Sequence, residues 1–354
     1  VADILCHFYP ENDYVLYAPK KRENKRMNLL TGQYRQLTLA YPATSFWKKL
    51  SSLWRVWGIT SQLEKEGIEL FHGLSNELPL NIHKSRIKSI VTIHDLIFLR
   101  YPQYYQSIDR KIYTYKFRKA CENADKIIAI SECTKRDIIR YFNIPDDKIE
   151  VVYQGCDVSF THPVTEEKKE EVRKKYQLPD HYILNVGSIE ERKNILAAVQ
   201  ALPMLPQHIH IVIVGRRTGY TEKVEQFIKD NGLGERVHII SNVPFNDLPA
   251  FYQSAEIFVY PSRFEGFGIP IIEALYSGIP VVAATGSCLE EAGGPDSIYV
   301  NPDDITGLAD AFKQIYSNSD KRKNMVEKGR EFAKRFSEKQ QSEEIINIYK
   351  KLIR

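Results

Sequence analysis

The stretch from Ile257 to Val282, IFVYPSRFEGFGIPIIEALYSGIPVV, constrains the fold of this chain more than any other. Ile257, Phe258, Val259 and Tyr260 form an apolar, β-branched and aromatic run that reads as a buried strand and stops at Pro261-Ser262. A loop with Glu265, Gly266 and Gly268 follows, and Pro270 suits the first turn of a helix whose apolar face is Ile271, Ala274 and Leu275. Strand, glycine loop and helix in that order are the building unit of an α/β domain. The junction points backbone N–H groups and the positive end of a helix dipole at whatever lies over the loop, and the missing Cβ atoms let it come close. Such a site suits an anion. Yet a carboxylate stands on each side of the glycines, Glu265 in the loop and Glu273 in the helix. Carboxylates accept hydrogen bonds from hydroxyl groups rather than bind phosphate, so a ligand that satisfies both features carries phosphate and polyol together, as a nucleotide sugar does. The plainer reading, two carboxylates that solvate a loop and a helix surface, is open from this window alone.

Glu265 and Glu273 with seven residues between them, in the setting PSRFEGFGIPIIEALYSGIPVVA, resemble the signature of the retaining GT-B glycosyltransferases of family 4. The resemblance implies two Rossmann-like, doubly wound α/β domains facing a central cleft. It places Glu265 beside the donor sugar, Glu273 on the ribose hydroxyls, and the backbone of Gly266, Phe267, Gly268 and Ile269 against sugar and diphosphate. It extends over nearly the whole chain from Tyr14 onward. His94 ends the apolar strand Ile90 to Ile93 in an HD pair that matches the family's histidine near the donor sugar. Gly187 turns the chain in GSIEERKNI, where Lys193 matches the family's phosphate-binding lysine. The family's arginine directly after that glycine is replaced by Ser188, and whether Arg192 supplies the missing cation is open. Val243 falls where the family's backbone touches the nucleobase, and Glu291 and Gly294 fit a further loop. The phrasing HGLSNELP with GSIEERKN is similar to bacterial O-antigen and capsule transferases, several of which use GDP-mannose.

Taken in order, VADILCHFYP spaces Val1, Ile4, Leu5 and Phe8 as an amphipathic helix with no N-cap or strand ahead of it. The expectation is a longer protein in which the family's first strand and glycine loop come before it. KKRENKR, residues 20 to 26, reads as a solvated loop, and 34 to 39 as a strand. Residues 45 to 67 read as one helix that carries all three tryptophans, Trp47, Trp54 and Trp57, beside Lys48, Lys49 and Arg55. It suits either a core-facing helix or one lying on lipid. The domain plan is residues 1 to 160 for the acceptor-side domain, a charged linker over 161 to 180, the donor domain over 181 to 336, and a terminal helix over 337 to 354 that returns to the first domain. That helix places Ile345, Ile346, Tyr349 and Ile353 on one face.

Composition narrows the function. The chain has 354 residues, enough for two α/β cores, and no run of eighteen apolar residues that would span a membrane. Five scattered cysteines without a CxxC pair argue for a reducing, cytoplasmic setting and against a structural metal site. The first 160 residues hold 24 Lys and Arg against 18 Asp and Glu, so the positive charge is concentrated there. With no nucleic-acid motif present, that half points to an anionic membrane surface or acceptor, or to ordinary solvated lysines. The expected activity is transfer of a hexose from a nucleotide sugar to a glycan or a polyprenyl-diphosphate-linked acceptor. It needs no metal or cofactor, since no DxD-type motif lies in a suitable loop and Arg192, Lys193 and a helix dipole already face the diphosphate. On family analogy the departing phosphate oxygen takes the acceptor proton on the same face; a covalent intermediate is the open alternative. The same fold also serves epimerases, phosphorylases and non-catalytic binders of nucleotide sugars. A dinucleotide-binding oxidoreductase lacks its GxGxxG.

Overall fold

The computed structural model describes residues 1–21 and 25–353, so Arg22, Glu23 and Asn24 of the charged run lie outside the described residues. The end of that run opens a helix, Lys25–Gln33. The chain divides into two compact units, residues 1–153 with 338–354, and residues 154–337.

In the second unit six strands form one parallel sheet. They are β7 Tyr182–Val186, β8 His210–Val214, β9 Val237–Ile240, β10 Ile257–Tyr260, β11 Val281–Ala284 and β12 Ile298–Val300, numbered after the six of the first unit given below. Their spatial order is β12-β11-β10-β7-β8-β9. The chain therefore winds outward from β7 in one direction and from β10 in the other, and the crevice beside that reversal is where open α/β sheets hold ligands. β10 is buried along its length, and β7 as far as Val186, which is half-buried, because helices cover the two faces. Ile183, Ile211, Ile213, Ile257, Val259 and Val282 pack with Ala198, Leu308 and Phe312 in one core.

The first unit holds β1 Tyr14–Tyr17 paired with β2 Leu37–Ala40, and a separate parallel sheet β3-β4-β5-β6. The latter strands are Leu70–Gly73, Lys88–Ile93, Lys126–Ala129 and Ile149–Val151. β1 and β3 both line a cavity of about 1420 Å³. Ser131 caps the helix Glu132–Phe142 by accepting from the Thr134 N–H, as a serine before an apolar periodic run should.

Three expectations need correction. The strand read over 34 to 39 is Leu37–Ala40, because the Leu37 N–H closes a turn on the Tyr34 carbonyl. Residues 45 to 67 are not one helix. Ser45–Lys49 ends at Leu50, a π-helical turn spans Trp54–Gly58, and Ile59–Lys65 completes the segment. The break lets Trp47 fold onto Gly58, where a Cβ would stand 2.6 Å from the indole, so the tryptophans do not share one face. Trp54 is 1% exposed and Trp57 48%. The 161 to 180 segment is no free linker: its helix Glu166–Tyr176 is anchored in the second unit, where Lys168, Lys175 and Tyr176 all bond Asp247. In the terminal helix Glu338–Ile353, Ile345, Ile346 and Ile348 are buried and Ile353 is exposed. This helix packs in the first unit with Leu5, Ile90, Ile128 and Val152, and Tyr349 bonds His72 of β3 at 2.6 Å.

Candidate active site

Two loops flank the reversal in the second sheet, one after β7 and one after β10. Gly187 leaves β7 with φ +153°, a conformation that favours glycine, and directly behind it Gly215 follows β8 so close that a Cβ there would lie 1.8 Å from the Gly187 carbonyl oxygen. The chain then forms a single 3₁₀ turn, Glu191–Lys193, and enters the helix Ile195–Ala201 through Asn194 in the left-handed region. Asn194 donates to the carbonyls of Pro261 at 3.3 Å and Pro302 at 2.8 Å, and the Arg263 N–H donates to the Arg192 carbonyl at 2.9 Å. The two loops are thus laced together by their backbones.

This lacing brings Glu265 onto both cations. Its carboxylate lies 2.8 Å from Arg192 Nη1 and 3.3 Å from Lys193 Nζ, and it accepts from Ser262 Oγ at 2.9 Å and Tyr260 OH at 3.2 Å. Burial alone would push this carboxyl up, but Lys193 and Arg192 outweigh it and hold it below its ordinary value. Lys193 also donates to Tyr260 OH at 2.9 Å, so the tyrosine touches both ends of the pair. Arg192 further donates to the Phe264 carbonyl.

Gly268, at φ +149°, opens the helix Ile269–Ser277 without a side-chain cap, and Pro270 occupies its first turn. Phe267 is 3% exposed, packed edge-on against Phe336, so only its backbone faces the loop. Cys288 donates its thiol to the carbonyls of Phe267 at 2.7 Å and Glu265 at 3.0 Å, fixing how these peptide planes stand. Glu273 is half-buried and takes its hydrogen bond from Tyr252 OH at 2.6 Å. Burial outweighs that bond, with Asp157 adding to it, and raises the carboxyl to about 7. Val243 is half-buried in the loop that follows β9.

The structure therefore joins Arg192, Lys193 and Glu265 in one cluster and gives Glu273 a separate partner. Tyr260, Ser262, Tyr252 and Cys288 escape sequence reasoning, although a tyrosine as the last residue of a strand before a ligand loop is a usable signal. Ser188 donates to Glu190 at 2.6 Å. Arg216 and Arg217 belong to the solvated surface.

His94, in the first unit, stands at the carboxyl end of β4. Its N–H donates to Asn76 Oδ1 at 2.7 Å, and its Nε2 lies 2.8 Å from the Leu74 carbonyl. A carbonyl only accepts, so Nε2 carries the proton and Nδ1 is the ring's acceptor.

Residues 166–332 match the family model described as Glycosyl transferases group 1, and residues 11–160 that described as Glycosyltransferase Family 4. O-antigen chain mannosyltransferase B of Escherichia coli is 31% identical over 289 residues, covering 80% of this chain and 74% of the relative. The chain belongs to the group 1, family 4 glycosyltransferases. O-antigen chain mannosyltransferase RfbU of Salmonella typhimurium is 29% identical, over 64% of this glycosyltransferase and 60% of that relative. Among solved structures, a glycosyltransferase from Rickettsia africae superposes with a TM-score of 0.80 at 20% identity, covering 100% of this chain and 93% of the other. HepE of Anabaena, in complex with UDP and glucose, gives 0.76 at 16%, covering 99% and 95%. Both are GT-B proteins in fold, with two Rossmann-like parallel sheets, and this glycosyltransferase shares that α/β architecture.

Proposed function

We propose that this glycosyltransferase moves a hexose, mannose from GDP-mannose, with retention of configuration onto a growing glycan carried on polyprenyl diphosphate at the cytoplasmic membrane face. The observation that carries the proposal is the Arg192–Lys193–Glu265 cluster beside an uncapped helix N-terminus, with the Glu273 carboxylate one turn along that helix. A nucleoside diphosphate competes with Glu265 for the two cations and takes the remaining charge stabilisation from the loop backbone of Gly266, Phe267, Gly268 and Ile269. Glu265 is then released to accept from a hydroxyl of the donor sugar, and Tyr260 follows it. Glu273 accepts from ribose hydroxyls, and the Val243 backbone meets the base.

In the chemical step the bond from the anomeric carbon to the diphosphate oxygen breaks as the bond to the acceptor oxygen forms on the same face. The acceptor proton passes to the departing oxygen. Arg192 and Lys193 stabilise the charge that collects on the diphosphate, which supplies the leaving group without a metal. His94 is the second catalytic candidate, and the family resemblance gives its ring the role of accepting from a sugar hydroxyl. The mannose assignment leans on the mannosyltransferase names of the relatives.

The test is a panel of nucleotide sugars with a polyprenyl-diphosphate-linked oligosaccharide. Release of nucleoside diphosphate should be greatest with GDP-mannose, and NMR of the product should show the anomeric configuration of the donor. An inverted product, or turnover with other donors alone, rejects the corresponding part of the reading.

A further inference from the structure

Each of the two carboxylates at the candidate site takes a hydrogen bond from a buried tyrosine. Tyr260 donates to Glu265 at 3.2 Å and Tyr252 to Glu273 at 2.6 Å. The two tyrosines belong to one aromatic stack. Phe258 and Tyr260 stand two positions apart on β10, hence on the same face of the sheet, with ring centroids 5.9 Å apart and planes within 19° of parallel. Tyr252, from the helix Leu248–Gln253, also stacks on Phe258, at 5.3 Å and 28°. Phe160 meets the Tyr252 ring edge-on at 5.3 Å. All three stacked rings are at most 2% exposed, and side chains in so dense a core have one place to stand. A buried tyrosine needs only some acceptor for its hydroxyl, and Tyr182, equally buried, donates to the Phe251 backbone carbonyl. Tyr252 and Tyr260 instead aim theirs at the two ionisable groups of the site.

We infer that Tyr260 and Tyr252 are positioning residues, one for the carboxylate at the donor sugar and one for the carboxylate at the ribose, and that their shared contact with Phe258 sets the spacing of those two carboxylates before a donor arrives. A nucleotide sugar is then recognised by the span from ribose to hexose as well as by its charge. Lys193 donates to the Tyr260 hydroxyl at 2.9 Å, so a diphosphate that draws the two cations away leaves Glu265 held by Tyr260 and by Ser262 at 2.9 Å. Glu273 keeps one oxygen on Tyr252, and a carboxylate has further lone pairs with which to accept from ribose. Acceptors fixed in this way need no rearrangement at the moment of reaction. The assignment rests on the donor site proposed above and deepens it by naming what holds its two carboxylates.

The experiment keeps every ring and removes one hydroxyl at a time. GDP-mannose and UDP-glucose are first offered to the parent in calorimetry, and the ligand bound more tightly is used throughout, with turnover read as release of nucleoside diphosphate. Tyr260→Phe should act mainly on turnover at saturating donor, lowering it about tenfold against about twofold in donor affinity. Tyr252→Phe should do the reverse, weakening donor affinity about tenfold at pH 8 against about twofold in turnover. The Tyr252 hydrogen bond opposes the burial that raises Glu273, so its loss should also move the pH at which affinity is half lost to a higher value, a shift that a packing defect would not produce. Phe258→Leu, which removes the ring that both tyrosines touch, should lower affinity and turnover together; if that chain does not fold, the two tyrosine variants decide. Three results would overturn the inference: tyrosine variants that lose affinity and turnover in equal proportion, tyrosine variants that match the parent, or a folded Phe258→Leu that matches the parent in both. A parent that binds neither nucleotide sugar overturns the donor site itself and the inference with it, whereas a parent that binds one while its variants show no split overturns the inference alone.

Discussion

Glu273 and Glu265 are carboxylates eight positions apart held in opposite electrostatic states, and that difference yields separable tests. The Glu273 carboxyl is raised from 4.5 to about 7 by burial, so in the folded chain it holds a proton that it would release in the unfolded one. A raised folded value contributes stability that is full below about pH 4.5 and lost as pH rises through about 7. Glu273→Gln, which cannot ionise, should therefore gain melting temperature relative to the parent at pH 8 and not at pH 4.5. Binding should run the other way. Two ribose hydroxyls need an ionised acceptor, so affinity for GDP-mannose, a ligand with no titration of its own in this range, should fall about tenfold from pH 8 to pH 5.5 in the parent. Glu273→Gln should bind weakly and evenly across that range; parallel pH curves in calorimetry would remove Glu273 from the ribose. Glu265 is held below its ordinary value by Lys193 and Arg192 against its burial, so it stays ionised throughout. Glu265→Ala should lower turnover by a larger factor than it changes nucleotide affinity. Lys193→Ala should weaken binding of the nucleoside diphosphate by about 1.5 to 3 kcal/mol and leave the nucleoside unaffected, since only the former brings charge to the ammonium. Equal losses for both ligands would move Lys193 away from the phosphates.

At the scale of elements, the site depends on how two loops approach each other across β7 and β10, and a glycine behind the β7 loop sets that approach. A Cβ at Gly215 would stand 1.8 Å from the Gly187 carbonyl oxygen and drive the β7 loop outward, carrying Arg192 and Lys193 with it. Gly215→Ala should cost about 1 to 3 kcal/mol of stability in urea titrations and weaken diphosphate binding. Gly219→Ala, with nothing within 4 Å of its Cβ, is the control and should do neither. Much at this scale was legible in the sequence. β7, β10, β11 and the Ser131-capped helix follow from apolar runs ended by Pro, Gly or a capping serine, signals that are local. The lacing of the loops was not, because Asn194 meets Pro302 and Arg263 meets Arg192 across more than seventy positions of chain. The same holds for Tyr252 on Glu273 and Cys288 on the Phe267 carbonyl, where the donor's identity says nothing about its distant acceptor. The segment over 45 to 67 failed for a different reason. Its helical periodicity is real, but the close fit of Trp47 on Gly58 outweighs a continuous hydrogen-bond ladder, and periodicity carries no term for such a contact.

At the scale of the whole molecule, the chain leaves the first unit at Tyr153 and returns to it at Glu338. The second unit is continuous, with its own six-stranded sheet and its own core, whereas the first is completed only when the terminal helix arrives. That helix buries Ile345, Ile346 and Ile348 against Leu5, Ile90, Ile128 and Val152, and Tyr349 reaches His72, itself 2.7 Å from Thr92 of β4. Burial of three isoleucines is worth about 5 to 9 kcal/mol, comparable with the whole stability of an ordinary domain at about 5 to 15. Residues 154–337 expressed alone should therefore fold, melt in one transition and bind nucleoside diphosphate as the full chain does. A chain that ends at Ser337 should keep that transition and lose the one belonging to the first unit, with new binding of a hydrophobic dye as the Leu5–Ile128 cluster is uncovered. Calorimetry of the shortened chain decides the matter: an undiminished first-unit transition would mean that the terminal helix rests on a core already complete without it.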